Sequence, residues 1–200
     1  MTLDDGPAVN LQATLDVLQN KNAVATFFIN GRNYVDITTD ASAAQRVKDI
    51  YNAGHQVGSH TFGHADMTTL DNQGRWDQMR LLDNAVKNLI GVRPIHVRLP
   101  YLAVNQDVLN ALGSWGYRVV GVNLDTKDYE HPDASTQVQL NKNQYFSELN
   151  KGLPSWISLG HERMSETSTW IAFMIDDMRS RGYTLVTAAQ CIGDSAMYRL

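Results

Sequence analysis

Short runs of β-favouring residues alternate with helical patterns along the whole chain, and this rhythm constrains the fold more than any other feature. Helical patterns occupy about 10–20, 41–53, 72–90, 105–115, 136–150 and 168–181. β-rich runs fall at 25–30, 55–59, 96–99, 118–123, 156–159 and 184–187, with a stub at 1–3. Asp40 stands as an N-cap, and Gly54, Gly91, Gly116 and Gly182 each follow a helix end. Along 72–90, Trp76, Met79, Leu82, Val86 and Leu89 recur at helical spacing, which predicts a face packed on a core. Strand then helix, repeated in order, predicts a parallel sheet with crossover helices. Seven strands and six helices in 200 residues fit either an open doubly wound sheet or a small, imperfect barrel. Both place a functional site at the carboxyl ends of the strands.

That rule can be applied to the residues directly. Asp4 and Asp5 follow the first run, and His60 and His64 follow the third. Arg98 and Tyr101 end the fourth, Asp125 and Asp128 follow the fifth, and His161 follows the sixth. Residues scattered through the chain therefore converge on one rim.

Each cluster has a plain reading and a chemical one. TLDDGP at 2–7 reads equally as a solvated, helix-capping turn or as two carboxylates with separate tasks. Successive side chains diverge in a strand, so one carboxylate is free to bind a cation while its neighbour faces a substrate. In SHTFGH at 59–64, two imidazoles four positions apart can meet one cation on a helical turn. With Asp5 they form a carboxylate and two imidazoles, an open set that leaves positions for water or substrate. The chain has one cysteine, so a thiolate zinc knot is excluded. The Arg98 guanidinium is placed to brace a carboxylate by a planar, bidentate contact. Asp128 is placed to raise the pKa of His161 and keep it protonated.

The ordered set TLDDGP, SHTFGH, RLPY, DTKDY and SLGH, from residue 2 to residue 161, resembles the five motifs of the polysaccharide deacetylases. These form carbohydrate esterase family 4, with its NodB homology domain, and the overall likeness is to chitin deacetylase-type members. The resemblance implies an α/β fold, a distorted (β/α) barrel of about seven parallel strands with outer helices. It also implies one divalent ion, zinc first and cobalt or nickel as alternatives, held by Asp5, His60 and His64. By the same resemblance Asp4 would be the general base held by Arg98, and His161 the general acid tuned by Asp128. The Tyr101 N–H would line an oxyanion hole, Leu159 would face the acetyl methyl group, and Tyr129 would stand beside the sugar. Four positions depart from the family's pattern. Leu3 stands in place of Phe, Leu99 in place of Pro and Tyr129 in place of Trp, while Glu162 adds a charge without an assigned role.

The expected activity is removal of N-acetyl groups from N-acetylglucosamine polymers or oligomers, chitin-type first. Acetylxylan and peptidoglycan are the alternatives, as is a metal-containing carbohydrate-binding domain without turnover. Asn30, Tyr34, Tyr101, Trp115 and Tyr129 are candidate sugar-stacking residues. A non-haem iron oxygenase would share the two-histidine, one-carboxylate ligand set, but strand–helix alternation does not suit it. A serine-hydrolase elbow of the Gly-x-Ser-x-Gly type is absent from the sequence.

Composition narrows the partners. Apolar residues make up 43% and charged residues 19%, ordinary for a globular chain, and the net charge of −4 carries no basic stripe for nucleic acid. No apolar stretch approaches the roughly 20 residues that span a bilayer. The expected state is a monomer acting on an acetylated glycan, with neither nucleic acid nor membrane as partner. The expected location is secreted or cell-wall associated, with the signal peptide outside this chain. One catalytic domain over 1–200 is expected, with 1–3 as the tail of a strand that begins upstream. Cys191 is expected to be an inert thiol, or to pair with a cysteine upstream.

Overall fold

The computed structural model describes residues 1–130, 134–164 and 166–200. In chain order the elements are β1 (Thr2–Gly6), α1 (Leu11–Asn20), β2 (Thr26–Ile29), α2 (Ala41–Asn52), β3 (Gln56–Ser59), α3 (Asn72–Ile90), β4 (Arg93–Pro94) and β5 (His96–Val97). They continue as α4 (Gln106–Ser114), β6 (Arg118–Val119), β7 (Leu124–Asp125), α5 (Ala134–Leu149), β8 (Ser158–His161), α6 (Thr167–Ser180), α7 (Ala188–Cys191) and β9 (Tyr198–Arg199).

Seven strands form one sheet in the order β6-β5-β3-β2-β1-β8-β7, and every neighbouring pair is parallel. The two edge strands, β6 and β7, are consecutive in the chain. Val119 and Leu124 lie five residues apart, so they are separated by at most about 18 Å. In a flat sheet of seven strands the edges would stand about 29 Å apart, six spacings of about 4.8 Å. The sheet is therefore curled into a barrel that lacks one ladder, between β6 and β7. This is the distorted barrel implied by the resemblance, and the open doubly wound alternative is set aside.

Strands buried on both faces need apolar residues at successive positions. In β2, Phe27 and Ile29 face the large outer cluster with Leu11, Leu15 and Leu18 of α1 and Val47 and Ile50 of α2. Phe28 faces inward, in a separate small cluster with Val120 and Ala188. Gly58 on β3 gives this ring its space, since a Cβ there would lie 2.5 Å from a Phe28 ring carbon. The helices follow their apolar spacing: α1 buries Leu11, Thr14, Leu15 and Leu18, one stripe at a 3.6-residue period. Asp40 caps α2 by accepting from the Ser42 and Ala43 N–H groups at 2.8 and 3.2 Å. Gly91 closes α3 at φ 79°, the left-handed cap expected there. Met79, Leu82 and Val86 of α3 are core residues, but Trp76 is partly exposed and packs edge-on against Trp115.

Two expectations are corrected. Residues 184–187 are not a strand. Thr187 instead begins α7 with a capping box closed by Gln190. The Ala188 and Ala189 N–H groups donate to Thr26 Oγ1 and Gln56 Oε1, so side chains from the barrel interior satisfy the orphan donors of the helix start. The seventh strand of the sheet is β7, just past the 118–123 run. A two-stranded antiparallel ladder, β4 with β9, was not expected at all.

Candidate active site

Every expected site residue lies at the carboxyl end of the curled sheet. Asp4 and Asp5 end β1, His60 and His64 follow β3, Arg98 and Tyr101 follow β5, Asp128 follows β7, and Leu159 and His161 end β8. A pocket of about 520 Å³ is lined by both aspartates, His60, His64, Tyr101, Tyr129, Leu159 and His161. Arg98 and Asp128 stand behind this wall, each bonded to a residue that lines it.

Adjacent strand residues normally face opposite ways, which predicts that Asp4 and Asp5 part. They do not. The register with β2 slips between Asp4 and Gly6, so Asp5 is the extra residue of a bulge, at φ 68°. The bulge re-aims its side chain into the same pocket as Asp4. His64 at φ 54° and Tyr101 at φ 59° share this backbone region, which is sparsely used by non-glycine residues. Such conformations cost about 1–3 kcal/mol each and gather where geometry matters more than stability.

Asp5 Oδ1 lies 3.2 Å from His64 Nε2 and 3.6 Å from His60 Nε2. Tetrahedral bonds of about 2.0–2.2 Å place ligand atoms about 3.3–3.6 Å apart, so these separations suit one small cation. Asp5 Oδ1 is buried and has no hydrogen-bond partner among the described residues. An orphaned carboxylate oxygen facing two imidazole nitrogens is what a cation would satisfy. The histidines are held in the matching tautomer. His60 Nδ1 lies 2.8 Å from the Arg98 carbonyl, so Nδ1–H donates there and Nε2 keeps its lone pair. His64 Nδ1 lies 3.2 Å from the Tyr101 hydroxyl and can do the same. Burial pushes the His60 pKa down against the pull of Asp4 and Asp5, which favours the neutral, ligating form. Burial acts upward on the Asp5 pKa, but the close approach of His64, with His161 and His60 near by, holds it down at about 2.

Arg98 is fully buried, with its guanidinium 4.5 Å from the Phe28 ring centroid. Its contact with Asp4 is a single one, Nη1 to Oδ1 at 3.0 Å, and not the bidentate fork expected. The other donors are spent on the Gly121 and Val120 carbonyls and on the Thr2 hydroxyl. Asp128 takes two bonds from His161: the backbone N–H at 2.6 Å and ring Nδ1 at 2.7 Å. His161 Nδ1–H is thereby fixed, leaving Nε2 for the pocket. Burial alone would lower the His161 pKa, but the Asp128 bond and charge, with Asp4 and Asp5 behind, raise it. Tyr129 packs its ring edge-on against His161 at 5.3 Å.

Of the candidate sugar-stacking residues, Tyr34, Tyr101 and Tyr129 line the pocket, the first two largely exposed and Tyr129 less so. Asn30 is buried and donates to the His60 and Thr61 carbonyls, bracing the histidine loop. Trp115 packs on Trp76, away from the pocket. Arg163, which no motif marked, lines the pocket and contacts Asp5 at 3.3 Å. Glu162 is buried, not a surface charge. Its Oε1 accepts from the Ala8 N–H at 2.7 Å, and desolvation raises its pKa from 4.5 to about 8. Cys191 is a half-buried free thiol.

Comparison with known proteins bears on this geometry. Residues 1–120 match the family model described as polysaccharide deacetylase. The chain is 36% identical over 198 residues to a chitin deacetylase of Colletotrichum lindemuthianum, covering 98% of this chain and 79% of that protein. It is 37% identical over 199 residues to a chitin deacetylase of a Pestalotiopsis species, covering 98% of this chain and 64% of that one. The solved structure of the Colletotrichum enzyme matches with a TM-score of 0.94, over 99% of this chain and 89% of that one.

Proposed function

Since this chain belongs to the polysaccharide deacetylase family, we propose that it is a metal-dependent hydrolase of N-acetylglucosamine polymers or oligomers, chitin-type first, releasing acetate. The observation that carries this is the closure of Asp5, His60 and His64 on one point beside Asp4 and His161. The chitin preference is supported by the two chitin deacetylases above. The imidazole-rich ligand set favours zinc, with cobalt or nickel as alternatives.

A cation bound there supplies Lewis acidity toward the acetamide carbonyl and toward water. The protein's own groups do the rest. Asp4, aimed by Arg98, receives the proton of the attacking water. The Tyr101 N–H donates to the carbonyl oxygen as negative charge develops on it. Leu159 supplies an apolar wall for the acetyl methyl group, and Tyr129 stands beside the sugar. His161, with Nδ1 tied to Asp128, gives its Nε2 proton to the departing amine nitrogen. Acetate and a glucosamine unit leave. No described helix is long and apolar enough to cross a membrane, and a secreted or cell-wall-associated monomer suits a glycan substrate.

The test is acetate release from chitooligosaccharides, peptidoglycan and acetylated xylan, before and after chelation and zinc reloading. Release from chitooligosaccharides that chelation abolishes and zinc restores is the expected result. Release from xylan or peptidoglycan alone moves the substrate assignment. No release from any glycan by zinc-loaded protein removes the enzymatic reading.

A further inference from the structure

The two oxygens of Asp5 have different surroundings. Oδ1 is buried, has no hydrogen-bond donor among the described residues, and faces the Nε2 atoms of both histidines. Oδ2 is taken by Arg163, whose Nε lies 3.3 Å away. Arg163 is propped in turn, with its guanidinium 4.9 Å from the Tyr34 ring centroid. It stands two residues beyond His161, so the end of β8 and the turn that follows supply both the His161 imidazole and this contact.

We propose that Arg163, steadied by Tyr34, is a positioning residue that keeps Asp5 a one-oxygen ligand of the cation. The inference rests on the metal reading above. A carboxylate with both oxygens free can swing and bind a cation through both, and the second oxygen then takes a position that hydrolysis needs for water or the acetyl oxygen. Occupying Oδ2 with a fixed N–H prevents that swing. A planar guanidinium is suited to this because its donor direction is set once its face is stacked. Partners beyond the direct ligands commonly change metal affinity or activity by about 10–100-fold when removed.

Affinity alone does not read this effect. Loss of Arg163 removes both a constraint on Asp5 and a like charge beside the cation, and the two changes oppose one another. The coordination number is the direct readout. Full-length protein, stripped of metal and loaded with cobalt(II), reports it through the intensity of the visible cobalt bands, which weaken as coordination number rises. Arg163→Ala is expected to weaken these bands and lower kcat about tenfold, with KM within about twofold. Arg163→Lys keeps a donor for Oδ2 and is expected to recover most of the band intensity. Tyr34→Ala shifts the spectrum in the same direction by a smaller amount, while Tyr34→Phe retains the ring and the wild-type spectrum. Cobalt bands that are identical in wild type and Arg163→Ala overturn the positioning role and leave the cation site standing. Failure of wild-type protein to take up cobalt overturns both.

Discussion

Glu162→Gln isolates a single buried carboxyl, and its effect on stability can be worked out in advance. Glu162 is fully buried, so no discount for solvent screening applies, and a Cβ on Gly6 would lie 2.1 Å from its Oε2. In the unfolded chain the group loses its proton near 4.5, whereas in the folded chain it holds the proton up to about 8. The unfolded state therefore releases a proton that the folded state retains, and stability falls as pH rises between these values. The cost is absent below 4.5, grows by about 1.4 kcal/mol per pH unit, and levels off above 8. It amounts to about 1 kcal/mol at pH 5 and about 3 kcal/mol at pH 7. Glutamine resembles the neutral acid: its carbonyl can accept from the Ala8 N–H, and its amide takes the place of a hydroxyl that also lacks a partner among the described residues. Urea unfolding of both proteins in chelator, at pH 4, 5, 6 and 7, gives the difference directly. The two should agree within about 1 kcal/mol at pH 4, and the variant should gain about 2–3 kcal/mol between pH 5 and pH 7. Other titrating groups, His60 among them, cancel in the difference. A difference that does not change with pH would refute the argument, because Glu162 would then carry the same charge in both states.

Three further outcomes follow from the site. Asp4→Asn removes the proton acceptor but not a ligand, so acetate release should fall about 10²-fold or more while metal content after dialysis stays at the wild-type level. Full activity in that variant would mean that another group is the base. His64→Ala removes a ligand, and metal content after dialysis should drop; unchanged metal content would place the cation elsewhere. Asp128→Asn removes the charge that raises the His161 pKa. Less His161 is then protonated at high pH, so the alkaline limb of the kcat profile should move to lower pH. An unmoved limb would separate His161 from the proton-donating step.

Much of the candidate site was legible because its residues come in short, ordered groups of chemically capable types. The strand-end rule placed Asp4, Asp5, His60, His64, Arg98, Asp128 and His161 on one rim, and the structure brings them together there. β1, β2, β3 and β8 were legible as compact β-rich runs between helices, although the bounds shift by a few residues. Residues 184–187 misled because Thr-Leu-Val-Thr has strand propensity. Its neighbours' N–H groups bond instead to the Thr26 and Gln56 side chains, a tertiary override of local preference. The two-residue strands β4 and β9 carry no periodicity long enough to detect. Glu162 read as an extra charge because burial is a property of the surroundings and not of the residue.

The order of elements, the parallel sheet that this order requires, and the chemical types delivered to each strand end are all written in local residue patterns. Where those side chains aim is set by the packed chain. A bulge at Asp5 overrides strand alternation, Arg98 divides its donors among four acceptors, and Arg163 meets Asp5 across 158 residues of chain. Residue identity is local, whereas orientation, burial and charge state depend on neighbours that folding brings in from distant parts of the chain.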